Sequence, residues 1–247
     1  YPFLINENGI ALLPVTSVKK HQISSDVIST GIDGLDNKID KKGFYVGSST
    51  LVSGASGVGK TSFSVSLCME ALKQKKKCLF FTFEETPSQL IRNMLSLGFD
   101  LKKFEEQGLL KIISTRPSMF GIESHLVSIY HYIDAFGPEL IVFDPVTDLI
   151  QVGTRSEVRG MLFRIIDFLK SQLITIIFTA LINLDNDHQK NLGMSSLVDN
   201  WIKLNANESG NDDEMYVKII KIRGMKHSRL KYVLDFSEEG LKIKDQV

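Results

Sequence analysis

The segment GASGVGKT, Gly54 to Thr61, has the residue types and spacing to hold a chain of phosphates. It fits G-x-x-x-x-G-K-[ST] at every fixed position, follows the strand-like STLVS and opens the helical KTSFSVSLCMEALKQ, which is the context the motif requires. Gly54, Gly57 and Gly59 let backbone N–H groups turn inward around phosphate oxygens, and the helix start adds its positive end. The expected nucleotide-binding set is Gly54, Ala55, Ser56, Gly57, Val58, Gly59, Lys60, Thr61 and Ser62. Lys60 should reach the β- and γ-phosphates, with the Thr61 hydroxyl on Mg²⁺.

Carboxylates fall where such a site needs them. LIVFD ends four apolar residues on Asp144, the pattern of a buried strand whose terminal acid acts on Mg²⁺ directly or through water. FFTFEE carries Glu84 and Glu85 to the tip of the strand after the phosphate loop's helix. In parallel α/β sheets ligands bind at the carboxyl ends of strands. One acid of the pair is therefore a candidate general base, and Glu84 joins Thr61 and Asp144 as a candidate metal-organising group. A solvated acidic helix start is the alternative for the pair, since a helix N-terminus favours negative charge.

The elements that must position these residues alternate. After STLVSG come strand-like KCLFFTFEE, helical TPSQLIRNMLSLG with Pro87 in its first turn, and strand-like LLKIIST. Then follow a helix GIESHLVSIYHYIDAFG stopped by Gly137, the strand LIVFDP, the amphipathic helix SEVRGMLFRIIDFLKSQ and the strand ITIIFTA. Continuous apolar strands between helices predict a parallel sheet covered on both faces. From residue 200, NWIKLNA, EMYVKIIKIR and KYVLDFSEEGLKI read as consecutive strands in an antiparallel extension.

Composition bounds the function. The 247 residues suffice for one large α/β domain, and the formal net charge is zero, which argues against a dedicated nucleic-acid binder. The apolar run LITIIFTALI is too short to span a bilayer. YPFLINENGIALLP has neither a basic start nor a cleavage site. Cys68 and Cys78 read as reduced core residues of a cytoplasmic protein, and the scattered histidines form no metal motif.

A repeat divides the chain. YPFLINENGIAL at the start matches YVLDFSEEGLKI at 232–243, with Tyr1 on Tyr232, Glu7 on Glu238 and Gly9 on Gly240. Residues 1–13 then read as the closing segment of a preceding homologous domain, 14–29 as a polar linker and 30–247 as the catalytic domain. The alternative is two unrelated hairpins sharing a turn pattern.

STGIDGLDNKI, the phosphate loop, FTFEE, IRNMLSLGFDLKKFEEQGLLKII, IVFDPVTDL and KIIKIRGMKH together resemble the KaiC family of the RecA superfamily, over essentially the whole chain. The resemblance implies a RecA-like P-loop NTPase domain with a mostly parallel central sheet and a C-terminal antiparallel extension. It implies a tandem protein assembled as a homohexamer, with ATP and Mg²⁺ between neighbouring subunits. Glu84 and Glu85 match the family's catalytic glutamate pair. Lys221 and Arg223 match its Lys-x-Arg, which reaches a neighbour's γ-phosphate; without the resemblance they read as an edge strand's water-facing charges. In GMSSLVDN, Ser195 and Ser196 match the adjacent phosphoacceptors of the family's second domain, where the first domain has acidic residues. SSLVD also fits a capping box, with Ser196 as cap and Asp199 reaching back.

The resemblance implies a serine autokinase and ATPase in circadian or stress signalling, with a KaiB-like partner. A KaiA-like partner is put in question, because the family makes that contact through a longer C-terminal segment. The sequence departs from the family at Pro145, where serine is frequent, and in a Ser-Ser rather than a Ser-Thr pair. Two rival functions remain open: an ATPase that switches assembly without autophosphorylation, and a RecA- or RadA-like DNA-dependent ATPase.

Overall fold

Short apolar runs bounded by glycine or polar turns become strands here, and longer periodic runs become helices. The computed structural model describes residues 3–6, 9–12, 23–119, 121–182, 193–206, 214–238 and 240–244. In chain order these form β1 (Phe3–Asn6), β2 (Gly9–Leu12), β3 (Val27–Ile28), β4 (Phe44–Tyr45), β5 (Ser49–Gly54) and α1 (Lys60–Lys73). There follow β6 (Cys78–Thr82), α2 (Pro87–Leu95), α3 (Leu101–Glu106), β7 (Leu110–Ser114), α4 (Ile122–Phe136), β8 (Leu140–Asp144) and α5 (Arg155–Ser171). The chain continues through β9 (Thr175–Leu181), α6 (Met194–Leu197), β10 (Asn200–Ala206), β11 (Met215–Ile222), β12 (Lys231–Ser237) and β13 (Gly240–Lys244).

Nine strands make one sheet in the order β13-β12-β11-β10-β5-β9-β8-β6-β7. β10 runs parallel to β5, so it belongs to the parallel half, and the antiparallel extension starts one strand later than expected, at β11. Side-chain alternation divides the core between the two faces. Val52, Phe80, Val142 and Ile177 pack toward α1, α2 and α3. Leu51, Leu79, Phe81, Phe143 and Phe178 pack toward α4 and α5. On that second face Phe81 stacks on Phe143 at 5.1 Å and Phe143 on Phe178 at 5.3 Å, tying β6, β8 and β9 together. The RecA-like α/β expectation holds.

Local chemistry fixes the helix ends. Thr86 and Gln89 form a reciprocal capping box at α2, as Thr154 and Glu157 do at α5. Gly137 closes α4 in the left-handed conformation. STGIDGLDNKI acts as a staple: Asp36 accepts from the Ser29 and Thr30 hydroxyls, and Ser66 of α1 donates to the Gly31 carbonyl at 2.8 Å. A Cβ on Gly31 would lie 2.6 Å from the Ser66 carbonyl oxygen, so only glycine allows this approach.

The two ends of the repeat share a register. β1 and β2 pair Phe3 with Leu12 and Asn6 with Gly9, while β12 and β13 pair Leu234 with Ile243 and Ser237 with Gly240. Each pairing in the first hairpin maps onto the second by one constant offset in number.

Candidate functional site

The carboxyl ends of β5, β6, β8 and β9 converge on the phosphate loop. β5 runs out at Gly54, and α1 begins at Lys60 behind Gly59, whose φ is 87°. Gly54 is packed tightly: a Cβ there would lie 2.4 Å from the Leu204 carbonyl oxygen. A Cβ on Gly59 would meet the ring of Phe236 from β12 at 2.4 Å. Gly59→Ala should therefore lower stability by about 2 kcal/mol, through positive φ and steric clash together. In urea unfolding, adding Phe236→Ala should return the part due to the clash; unchanged stability in the single variant would contradict this packing.

Lys60 Nζ donates to the Ala55 carbonyl at 2.5 Å, folding back over its own loop. Burial pushes its ammonium down, while the charges of Asp144 and Glu84 work against that. Thr61 Oγ1 donates to Asp144 Oδ2 at 2.8 Å, and Thr179 donates to the other Asp144 oxygen. Asp144 is nearly buried, and burial raises its pKa despite those two hydrogen bonds. A divalent cation at a phosphate loop takes one or two protein oxygens and fills its shell with phosphate and water. Thr61 beside Asp144 fits that donor set. No group of three or more metal-ligating side chains occurs among the described residues.

Glu84 and Glu85 lie two and three residues past the end of β6, off the strand that the sequence extends through them. They are not equivalent. Glu84 is exposed at the mouth, and its charge acts on Lys60 and Asp144. Burial raises its pKa, and Asp148 and Glu85 add to that against the pull of Lys60. Glu85 is turned toward α2: its Oε1 accepts from Asn93 Nδ2 at 3.0 Å, and its Oε2 is buried with no hydrogen-bond partner among the described residues. Its backbone is held by Thr82 and Ser114. Asp148, on the 3-10 turn after β8, is a third carboxyl at this mouth that the sequence reading passed over. Its position after Asp144 in DPVTD was the available signal.

Lys221, Arg223, Ser195 and Ser196 form a second group. β11 is antiparallel to β10 and pairs Ile222 with Asn200, while β10 pairs Asn200 with Thr50. The second group therefore sits at the amino end of β5, and the phosphate loop at its carboxyl end. The five steps of β5 between Ser49 and Gly54 separate the two by roughly 17 Å. A bulge sets the cations: Trp201 pairs with Lys221 but Ile202 pairs with Ile219, leaving Ile220 extra. The slip reverses the strand's alternation, so Val217 and Ile219 face inward, then Ile222, with Lys221 turned out.

Asp199 is the hub of this second group, and sequence reading gave it only a capping role. It accepts from Lys170 Nζ at 2.7 Å, Ser49 N at 3.0 Å, Ser49 Oγ at 2.9 Å and Arg223 Nη1 at 3.1 Å. Burial opposes its ionisation, but Lys170 and Ser49 outweigh that and hold its carboxyl below the usual aspartate range. Stability from such a depressed pKa is complete above the unfolded value near 4 and is lost as pH falls through the folded one. Asp199→Asn should destabilise by about 3 kcal/mol at pH 7. The gap to the parent should narrow in urea titrations below about pH 4; a gap independent of pH would contradict the ion-pair account.

Ser196 is not the N-cap that the capping box requires. Gly193, with φ 62°, precedes the short α6, and the Ser196 hydroxyl inside it donates back to the Gly193 carbonyl at 2.8 Å. The Asp199 carboxylate is committed to Ser49 and its cations, so it does not reach back to that turn. Lys221 Nζ instead ties the segment, donating to the Ser195 and Val198 carbonyls at 2.6 Å each. Burial and then Arg223 lower its pKa. Beside this group an open cavity of about 990 Å³ is lined by Lys170, Arg223, Asp199, Tyr45 and Phe163.

The chain thus carries a phosphate loop with an acid-lined mouth at one end of β5, and cations with hydroxyls at the other. That combination on this sheet defines a RecA-like P-loop nucleotide-binding protein. The family model "ATPase: KaiC" matches residues 28–247, so the chain belongs to the KaiC ATPase family. It is similar to the circadian clock protein KaiC2 of Synechocystis sp., with 38% identity over 98% of this chain and 43% of that protein. It is 32% identical to the circadian clock oscillator protein KaiC of Parathermosynechococcus lividus, over 99% of this chain and 46% of that one. To KaiC3 of Synechocystis sp. it is 30% identical over 98% and 49%. The chain spans just under half the length of these relatives.

Proposed function

We propose that this chain is the second, kinase-like domain of a tandem KaiC-type protein. It binds Mg-ATP between subunits of a homohexameric ring, hydrolyses it, and passes the γ-phosphoryl group to Ser195 or Ser196 of a neighbour. One observation carries this reading. The cations and serines lie at the opposite end of β5 from the chain's own phosphate loop, which supports a site completed by a second subunit. The tandem assignment is supported by the shared register of the β1–β2 and β12–β13 hairpins.

In this mechanism the loop amides from Gly54 to Gly59 and the Lys60 ammonium hold the phosphates, with Thr61 and Asp144 as ligands for Mg²⁺. Bound Mg²⁺ supplies positive charge to the phosphate oxygens. Glu84 or Glu85 takes the proton of the attacking hydroxyl or water. As the serine O–P bond forms, the bond from the γ-phosphorus to the β-phosphate oxygen breaks and ADP leaves. A neighbour's Lys221 and Arg223 meet the negative charge that gathers in between, so positioning and electrostatics account for most of the rate. The ring is proposed to be cytoplasmic; among the described residues no helix is long and apolar enough to cross a membrane. The relatives' names, circadian clock proteins, support a role in circadian signalling; a KaiB-like partner and a stress-signalling role belong to the same proposal through the family resemblance alone.

The test is mass analysis of the protein after incubation with Mg-ATP. Phosphate on the 193–200 peptide is the expected result. Hydrolysis with that peptide unmodified would leave an ATPase that switches assembly, and the autokinase would be lost. Light scattering with saturating Mg-ATP should report a hexamer of the full-length protein.

A further inference from the structure

Arg159 on α5 has a contact that neither the nucleotide site nor the core explains. Its Nη2 lies 3.3 Å from the Ser196 hydroxyl oxygen. Its Nη1 fills the space above Gly193, where a Cβ would be only 2.3 Å away. Gly193 therefore both opens the α6 turn at positive φ and makes room for the guanidinium. Arg159 is exposed and makes no ion pair among the described residues. Its helix offers no acid one turn away in either direction, since those positions are Arg155, Ser156, Leu162 and Phe163. The nearby Glu157 is consumed by the Thr154 capping box.

A neutral hydroxyl makes poor use of this arrangement. The Ser196 proton is already given to the Gly193 carbonyl, so only one long contact reaches the guanidinium. A phosphate on the same oxygen changes the balance, because it presents three strong acceptors and nearly two negative charges. The planar guanidinium fork matches two of those oxygens at once. Lys221, the other cation at this turn, has its ammonium engaged by the Ser195 and Val198 carbonyls.

We infer that Arg159 is the receptor, within the same subunit, for a phosphate carried by Ser196. This deepens the proposed function and rests on its reading of the serine pair as phosphoacceptors. It also separates the pair: Arg159 holds the modified Ser196, and the Ser195 hydroxyl has no hydrogen-bond partner among the described residues. Phosphate at 196 then fastens α6 to α5, whereas phosphate at 195 does not. The phosphate comes from the γ-position of ATP, with ADP as leaving group and the serine proton passing to the catalytic glutamate.

The experiment installs phosphoserine at position 196 during translation, so its outcome is independent of any kinase activity of the chain. ³¹P NMR then follows the second ionisation, which lies near pH 6 for free phosphoserine. In the otherwise unaltered protein its midpoint should fall by roughly half a pH unit or more, a modest effect for an acid beside an exposed arginine. Arg159→Gln should bring it back toward the peptide value, with Arg159→Lys between. Phosphoserine at 195 should not respond to Arg159→Gln. Equal midpoints at 196 with and without Arg159 would overturn the inference, as would an equal response at 195. Absence of autophosphorylation in the mass analysis would fall on the autokinase reading alone.

Discussion

Glu84→Gln is expected to slow ATP turnover by about 10²–10⁴-fold, the usual loss when a positioned base is removed. Glu85→Gln should cost clearly less. Sequence offers the two acids as equals. In the folded chain Glu84 stands at the mouth, where its charge bears on Lys60 and Asp144. Burial, Asp148 and Glu85 raise its pKa, which strengthens it as a base. Glu85 has one oxygen on Asn93 of α2 and the other buried. Its removal should disturb the seat of α2 more than the chemistry. Steady-state turnover together with separately measured nucleotide affinity distinguishes these effects. Glu84→Gln should leave affinity within a few-fold of the parent, because the base is needed in the transition state. If Glu85→Gln proved the slower enzyme at unchanged stability, the base would be Glu85 and the Asn93 contact would have to open on nucleotide binding.

That asymmetry marks where the sequence stops being informative. β5 and β10 could be delimited from STLVSG and NWIKLNA because apolar runs between turn residues are local signals. The end of α4 was legible in Gly137, and the phosphate loop in its glycines and lysine, for the same reason. The orientation of Glu84 against Glu85 depends on where β6 ends and on an asparagine of the next helix. Neither is a pattern within FTFEE. Asp199 shows the limit more clearly. Its local context suggested a capping box, and its actual partners Ser49, Lys170 and Arg223 come from three distant elements. Tertiary charge pairing overrode a plausible local motif. The bulge at Ile220 is similar: KIIKIR reads as plain alternation, and only the pairing with β10 reveals the slip that turns Lys221 out.

The separation of the two half-sites leads to a complementation result. Lys60→Ala disables the phosphate loop and leaves the distant cations intact. Lys221→Met with Arg223→Met does the reverse, and should cost about 10³-fold or more, as loss of a cation supplied from a neighbour does. Each variant alone should be nearly inactive. Mixed in equal amounts and allowed to exchange subunits, they should regain activity, because some interfaces then pair an intact loop with intact cations. With random placement in a closed ring, roughly a quarter of interfaces are restored, one half multiplied by one half. A site complete within one chain gives no such recovery. Arg223 also pairs with Asp199, and Lys221 holds α6, so the double variant must first be matched to the parent in thermal unfolding and in the mass of its assembly. The single variant Arg223→Met guards against a purely structural loss, since Lys221 then keeps α6 in place. If well-folded, co-assembled variants stayed inactive in every mixture, Lys221 and Arg223 would lose their role in trans, and their place at the foot of β5 would be structural alone.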